Sequence, residues 1–147
     1  MLRRYVNGET PRDSDARPSV IVKWFSKEVK SDEALKLMDS HVKGSIELSA
    51  SELSFCEIAN ALRCKPDYNA EKLKNAVSQL FKLHLNVVPL DEDLLGRAGE
   101  IAYDGNVTLY DAIPVALAEH QKTVCITADE ETQYGKLQPK GYPIQLL

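Results

Sequence analysis

The stretch CITADEE, residues 125–131, decides how the chain is read. Val124, Cys125, Ile126 and Thr127 make a short apolar, β-favouring run, and the chain then turns abruptly to Asp129, Glu130 and Glu131. A buried strand that ends on acids has two explanations. The acids cap the helix that follows, or they hold a metal ion.

Short strands and helices alternate on both sides of it. Downstream, DEETQYGKL reads as a short helix and YPIQLL as a last strand. Upstream, helical patterns cover SDEALKLMDSHVK (31–43), SELSFCEIANALRCK (51–65), NAEKLKNAVSQLFKLH (69–84), DEDLLGRAGEIAYDG (91–105) and TLYDAIPVALAEHQ (108–121). Ser31 and Ser51 stand where helix caps belong, while Gly44, Pro66 and Gly105 mark ends. SIELSA (45–50) and LNVVPL (85–90) read as strands, the second placed at a sheet edge by Pro89. Strands alternating with helices imply an α/β protein, a three-layer α/β/α fold with a central parallel sheet of about four to five strands. In such sheets ligands gather at the carboxyl ends of the strands, where Asp129 falls.

A length of 147 residues suits one domain with a sizeable core. Residues 1–18 are polar and carry Gly8, Pro11 and Pro18, which reads as a tail or a degenerate first strand ahead of a domain at 19–147. SVIVKWF (19–25) is either a strand or a helix capped by Ser19. No apolar run is long enough for a membrane span or a signal peptide, so the expectation is a cytoplasmic protein. Three cysteines without CxxC spacing exclude a zinc cluster or a disulfide framework, and their apolar surroundings predict burial. With a net charge of −4, bulk positive charge cannot draw a nucleic acid. Local groups such as Lys23, Arg63 and Lys65, or bound cations, would have to offset the phosphates.

Three acids stand out. Asp129 can cap the helix after its strand, and Thr127 with Glu130 has capping-box spacing. Asp111 falls at a helix start after Thr108, where the dipole favours an anion, with Pro114 in the same helix. Glu57 lies on a weakly polar face of its helix, opposite a stripe of Phe55, Ile58, Ala59 and Leu62. Converging from three elements, such carboxylates suit a hard divalent ion, Mg²⁺ or Mn²⁺, because no His or Cys stands at ligand spacing beside them. An ion so held does phosphoryl chemistry.

SFCEIANALR (54–63), VVPLDEDLLGRAGEIA (87–102), TLYDAIPVALAEHQ and CITADEE follow SVIVKWF in an order and spacing that resemble the PIN domain, the fold of VapC-type toxins and related ribonucleases. The resemblance implies a central parallel sheet and a ribonuclease using Mg²⁺ or Mn²⁺, the toxin half of a toxin–antitoxin pair. It assigns Glu57, Asp111 and Asp129 to the catalytic, metal-holding set, with Thr127 and Asn60 in support. It implies an RNA substrate, an antitoxin protein over the cleft and a homodimer, and it turns SVIVKWF into the first helix, capped by Ser19. The alternative within the fold is a PIN domain that no longer cleaves and serves as an RNA- or protein-binding module. A receiver-like domain with a phosphoacceptor Asp fits less well.

The departure is at the start. The family's first strand ends in an Asp that binds metal, before Ala-Ser-Val. Here the chain reads DARPSV (15–20), and an ungapped count puts Arg17 in that position. A two-residue insertion, Arg17 and Pro18, would let Asp15 supply the metal ligand instead.

Overall fold

A computed structural model describes residues 13–147, without the side chains of Asp13 and Asp15. Five parallel strands form one sheet: β1 (Asp13–Ala16), β2 (Glu47–Ser51), β3 (Asn86–Val88), β4 (Val124–Thr127) and β5 (Ile144–Leu146). Their spatial order is β3-β2-β1-β4-β5. The polar DSDA segment is therefore the middle strand. It pairs Asp15 with Ser49 on one side and with Cys125 on the other. Strand propensity did not single it out. Backbone pairing on both edges holds it, and Ser14 and Ala16 are small enough to be buried beneath helices. Edge strand β3 stops just before Pro89, as the missing amide requires.

Helices α1 (Pro18–Ile21), α2 (Ser31–Val42), α3 (Glu52–Arg63) and α4 (Ala70–Lys82) cover one face. Their Val20, Ile21, Ala34, Leu37, Ile58, Leu62 and Leu80 pack with Leu48, Ala50, Val124 and Ile126 of the sheet. Helices α5 (Glu92–Gly105), α6 (Leu109–Gln121) and the single turn α7 (Gly135–Leu137) cover the other, where Ile101, Ile113, Leu117 and Leu137 meet Cys125 and Ile144. Val124 and Ile126 face one layer and Cys125 the other, the two-residue period of a strand buried on both sides. Among the described residues no helix is long and apolar enough to cross a membrane.

Local chemistry explains most helix starts. Asn69, Asp91 and Thr108 each accept a hydrogen bond from the amide three residues on, at 2.8, 2.8 and 3.1 Å. Two expected caps are corrected. Ser19 lies inside α1, whose preceding residue is Arg17 and whose first is Pro18, a residue suited to that position. Ser31 is the first residue of α2, after Lys30 in the left-handed conformation at φ 63°. Its hydroxyl accepts from the Glu28 amide at 2.7 Å and so closes the loop ahead of the helix.

Two of the three cysteines are corrected as well. Cys125 is buried, but α3 turns Cys56 and Cys64 to its exposed side. Gly105 is the last residue of α5, not the one after it, and Asn106 in the left-handed conformation ends the helix. At Gly105, α5 approaches α7 so closely that a β-carbon there would lie 2.3 Å from Leu137 Cδ2.

Candidate functional site

Along the chain the sheet grows from β1 through β2 to the β3 edge, and then returns to the other side of β1 with β4 and β5. The seam between β1 and β4 is thus where the strand order reverses. A parallel sheet of this kind opens a crevice there, at the carboxyl ends. Ala16 and Thr127 end the two strands. The Arg17 amide bonds the Ile126 carbonyl at 3.1 Å, which carries the ladder one residue further and fixes where Arg17 leaves the sheet.

A groove of about 520 Å³ lies at this end. Glu57 of α3 and Asp129, after β4, both line it, with Ser19, Lys23, Glu28 and Lys65 around them. Asp129 arrives there through three hydrogen bonds. Buried Thr127 accepts from the Asp129 amide at 3.0 Å, Ser19 accepts from the Ala128 amide at 3.4 Å, and Asp129 Oδ1 accepts from the Thr132 amide at 2.9 Å. Asp129 therefore caps the π-turn Glu130–Tyr134 and lines the groove at once. The two explanations of CITADEE are not exclusive.

Asp111, held at the first turn of α6, does not face the groove in the same way. Its carboxylate is turned onto Arg17, whose guanidinium donates to Oδ1 at 2.6 Å. The other fork of Arg17 donates to Gln133 Oε1 at 2.8 Å, and Gln133 Nε2 returns to the Asp111 carbonyl at 2.6 Å. Arg17 is 7% exposed and Gln133 fully buried, so the three residues form a closed ring of hydrogen bonds. Within this ring, Arg17 Nε has no hydrogen-bond partner among the described residues. A guanidinium fork reaches two acceptors on different elements without straining either, which a lysine would not do.

Glu57 feels both members of the pair. Burial pushes its carboxyl above the usual glutamate value, Arg17 opposes that, and Asp111 adds to it. Asn60, one turn further along α3, is exposed and does not line the groove. Of the basic residues expected to meet phosphates, Lys23 and Lys65 both donate to Glu28, Lys23 at 3.1 Å, and Arg63 is exposed. Glu28 is buried enough to raise its carboxyl, but the hydrogen bonds from Lys65 and Lys23 outweigh that and hold it low.

The structure thus brings Glu57 and Asp129 to one groove, keeps Thr127 buried against the Asp129 amide, pairs Asp111 with Arg17, and leaves Asn60 outside. Asp15 stands in β1, and its side chain lies outside the described residues. Gln133 was not legible beforehand. A lone Gln in a polar run carries no signal, and the π-turn alone swings it inward. The donor set does not suit Mg²⁺ or Mn²⁺ in this arrangement. Among the described residues no three His, Cys, Asp or Glu side chains converge as a metal seat, and a cation stands on Asp111 already.

The chain belongs to the PIN-domain family, whose model matches residues 19–135. No curated protein sequence matches it. Among solved structures it resembles Mycobacterium tuberculosis VapC20, described as a Sarcin-Ricin loop cleaving toxin, at TM-score 0.67 and 13% identity, over 88% of this chain and 95% of that one. It also resembles the DNA-bound VapBC of Salmonella typhimurium, at TM-score 0.66 and 15% identity, over 91% and 97% of the two chains. A toxin–antitoxin complex from Klebsiella pneumoniae gives TM-score 0.61 and 16% identity, over 81% and 88%. Likeness at these identities is a likeness of fold.

Proposed function

We propose that this chain is a toxin-type PIN protein directed at RNA, acting in the cytoplasm through the groove that Glu57 and Asp129 line, with Asp111 as the third acid. The supporting observation is that Glu57 from α3 and Asp129 after the end of β4 line one groove at the reversal of strand order. With Asp111 they are the acids that the family resemblance matches to Mg²⁺ or Mn²⁺ chemistry. In the arrangement described, however, they do not make a seat for such an ion, and no step is drawn through one. What these residues do as placed is definite. Thr127 and Ser19 orient Asp129, Glu57 offers a carboxyl that holds its proton more readily than usual, and Arg17 neutralises Asp111. The solved toxin–antitoxin neighbours favour an antitoxin-type protein as the partner that covers the groove.

The Arg17–Asp111 pair favours a second reading, a PIN domain that binds RNA or protein without cutting. Incubating short labelled RNAs with the parent protein and Asp111→Asn in Mn²⁺ or EDTA separates the two. Mn²⁺-dependent cleavage that Asp111→Asn abolishes supports the nuclease. RNA left whole by the parent supports the binding module.

A further inference from the structure

We propose that Arg17 is a built-in cation: its guanidinium takes the place of the divalent ion at Asp111 and keeps the groove from loading a metal. The inference rests on the second reading above, a PIN groove that does not cut, and its own basis is geometric. Arg17 leaves the carboxyl end of the middle strand, at the reversal point where a ligand-binding side chain belongs. Its fork bonds Asp111 at 2.6 Å and Gln133 at 2.8 Å, and Gln133 is pinned in turn to the Asp111 carbonyl. A divalent ion on Asp111 would have to displace a guanidinium that is 7% exposed and cannot lose its charge.

The charges agree. With Arg17 on Asp111, that carboxylate is neutralised from within the chain. Glu28 does the same at the rim for Lys23 and Lys65. Among the described residues the groove keeps Glu57 and Asp129 as its carboxylates without an ion pair, and these two are too few to hold a hard cation against a fixed positive charge beside them. The ring also ties β1, α6 and the π-turn together, which is structural service that a bound metal would otherwise give.

The experiment is thermal unfolding of the full chain with EDTA and with ~1 mM MnCl₂, on the parent, Arg17→Asp, Arg17→Met and Arg17→Asp/Asp111→Asn. The parent should melt at the same temperature in both buffers. Arg17→Asp should melt lower in EDTA and rise by about 5 °C with Mn²⁺, a rise that adding Asp111→Asn removes. An Mn²⁺-dependent rise in the parent that Asp111→Asn removes would overturn the proposal. So would folded Arg17→Asp and Arg17→Met proteins that both ignore Mn²⁺. Should Arg17→Asp not fold, a rise in Arg17→Met alone supports the proposal and its absence overturns it. RNA added to the same samples tests the underlying reading separately. RNA cut by the parent while Mn²⁺ leaves its melting temperature unmoved defeats the non-cutting reading and leaves Arg17's role standing.

Discussion

Arg17 and Asp111, 94 residues apart in sequence, meet at 2.6 Å across the gap between the end of β1 and the first turn of α6. Their side chains are 8% and 16% exposed, so the pair lies where breaking it costs more than forming it gains. Arg17→Met leaves Asp111 without its counter-charge and Gln133 Oε1 without a donor. The expected loss is about 3 kcal/mol, the lower end for a buried pair because Asp111 keeps some solvent. Arg17→Met/Asp111→Asn should lose less than Arg17→Met alone. Urea unfolding of both variants reads the difference.

Glu57 gives a pH dependence with a defined sign. Burial raises its folded-state value above that of the unfolded chain, against the pull of Arg17. The folded protein therefore keeps a proton that the unfolded chain has released. Stability falls as pH rises from the ordinary glutamate value to the raised one. Glu57→Gln removes that slope. Its stability relative to the parent should grow as pH rises above the ordinary glutamate value, as measured by urea midpoints at a series of pH values.

Glu28 runs the other way. Its lowered value means that its stabilising effect is present above the ordinary glutamate pH and is lost as pH falls through the folded one. Glu28→Gln should leave Lys23, whose side chain is 10% exposed, without its counter-charge. The variant should then lose the acid-side stability slope that the parent shows.

Gly105 tests the contact between α5 and α7. Gly105→Ala places a methyl 2.3 Å from Leu137 Cδ2, and Leu137 is fully buried. Overpacking of this kind costs about 1–3 kcal/mol. In a Leu137→Ala background the same substitution should cost little, so a double-mutant cycle should return a coupling close to the whole penalty.

Asp91 is a simpler case. Its side chain accepts from the Leu94 amide at 2.8 Å, and Asp91→Ala should cost about 1 kcal/mol by denaturant titration.

Much of this fold was legible in the residues. Pro89 limited β3 to an edge or a strand end, and Thr108 was legible as a cap, whereas Asn69 and Asp91, read as the first residues of their helices, prove to be their caps. Pro114 does sit within α6, where it cannot donate to the Tyr110 carbonyl, and the buried run Ala112–Ala118 holds the helix regardless. Residues whose setting is tertiary were not legible. DSDA carries no strand signal because its support is backbone pairing on both sides. Cys56 and Cys64 were expected inside because apolar neighbours in sequence say little about which face of a helix is covered. Of the candidate site, Glu57, Asp129 and Thr127 were named through the family resemblance. That Asp111 would face an arginine was a matter of register, and the structure settles it: β1 ends at Ala16 and Arg17 follows directly, with Pro18 opening α1.

The central place of β1 also orders events in time. The strand is synthesised early, yet one of its two neighbours, β4, comes near the end, and the partners of Arg17 lie 94 and 116 residues further on. A nascent chain can pair β1 with β2 and β2 with β3, but the guanidinium lacks its partners until residue 133 has emerged. The middle of the sheet therefore closes only after β4 has been made, and until then β1 has one open edge, of the kind that invites pairing between chains.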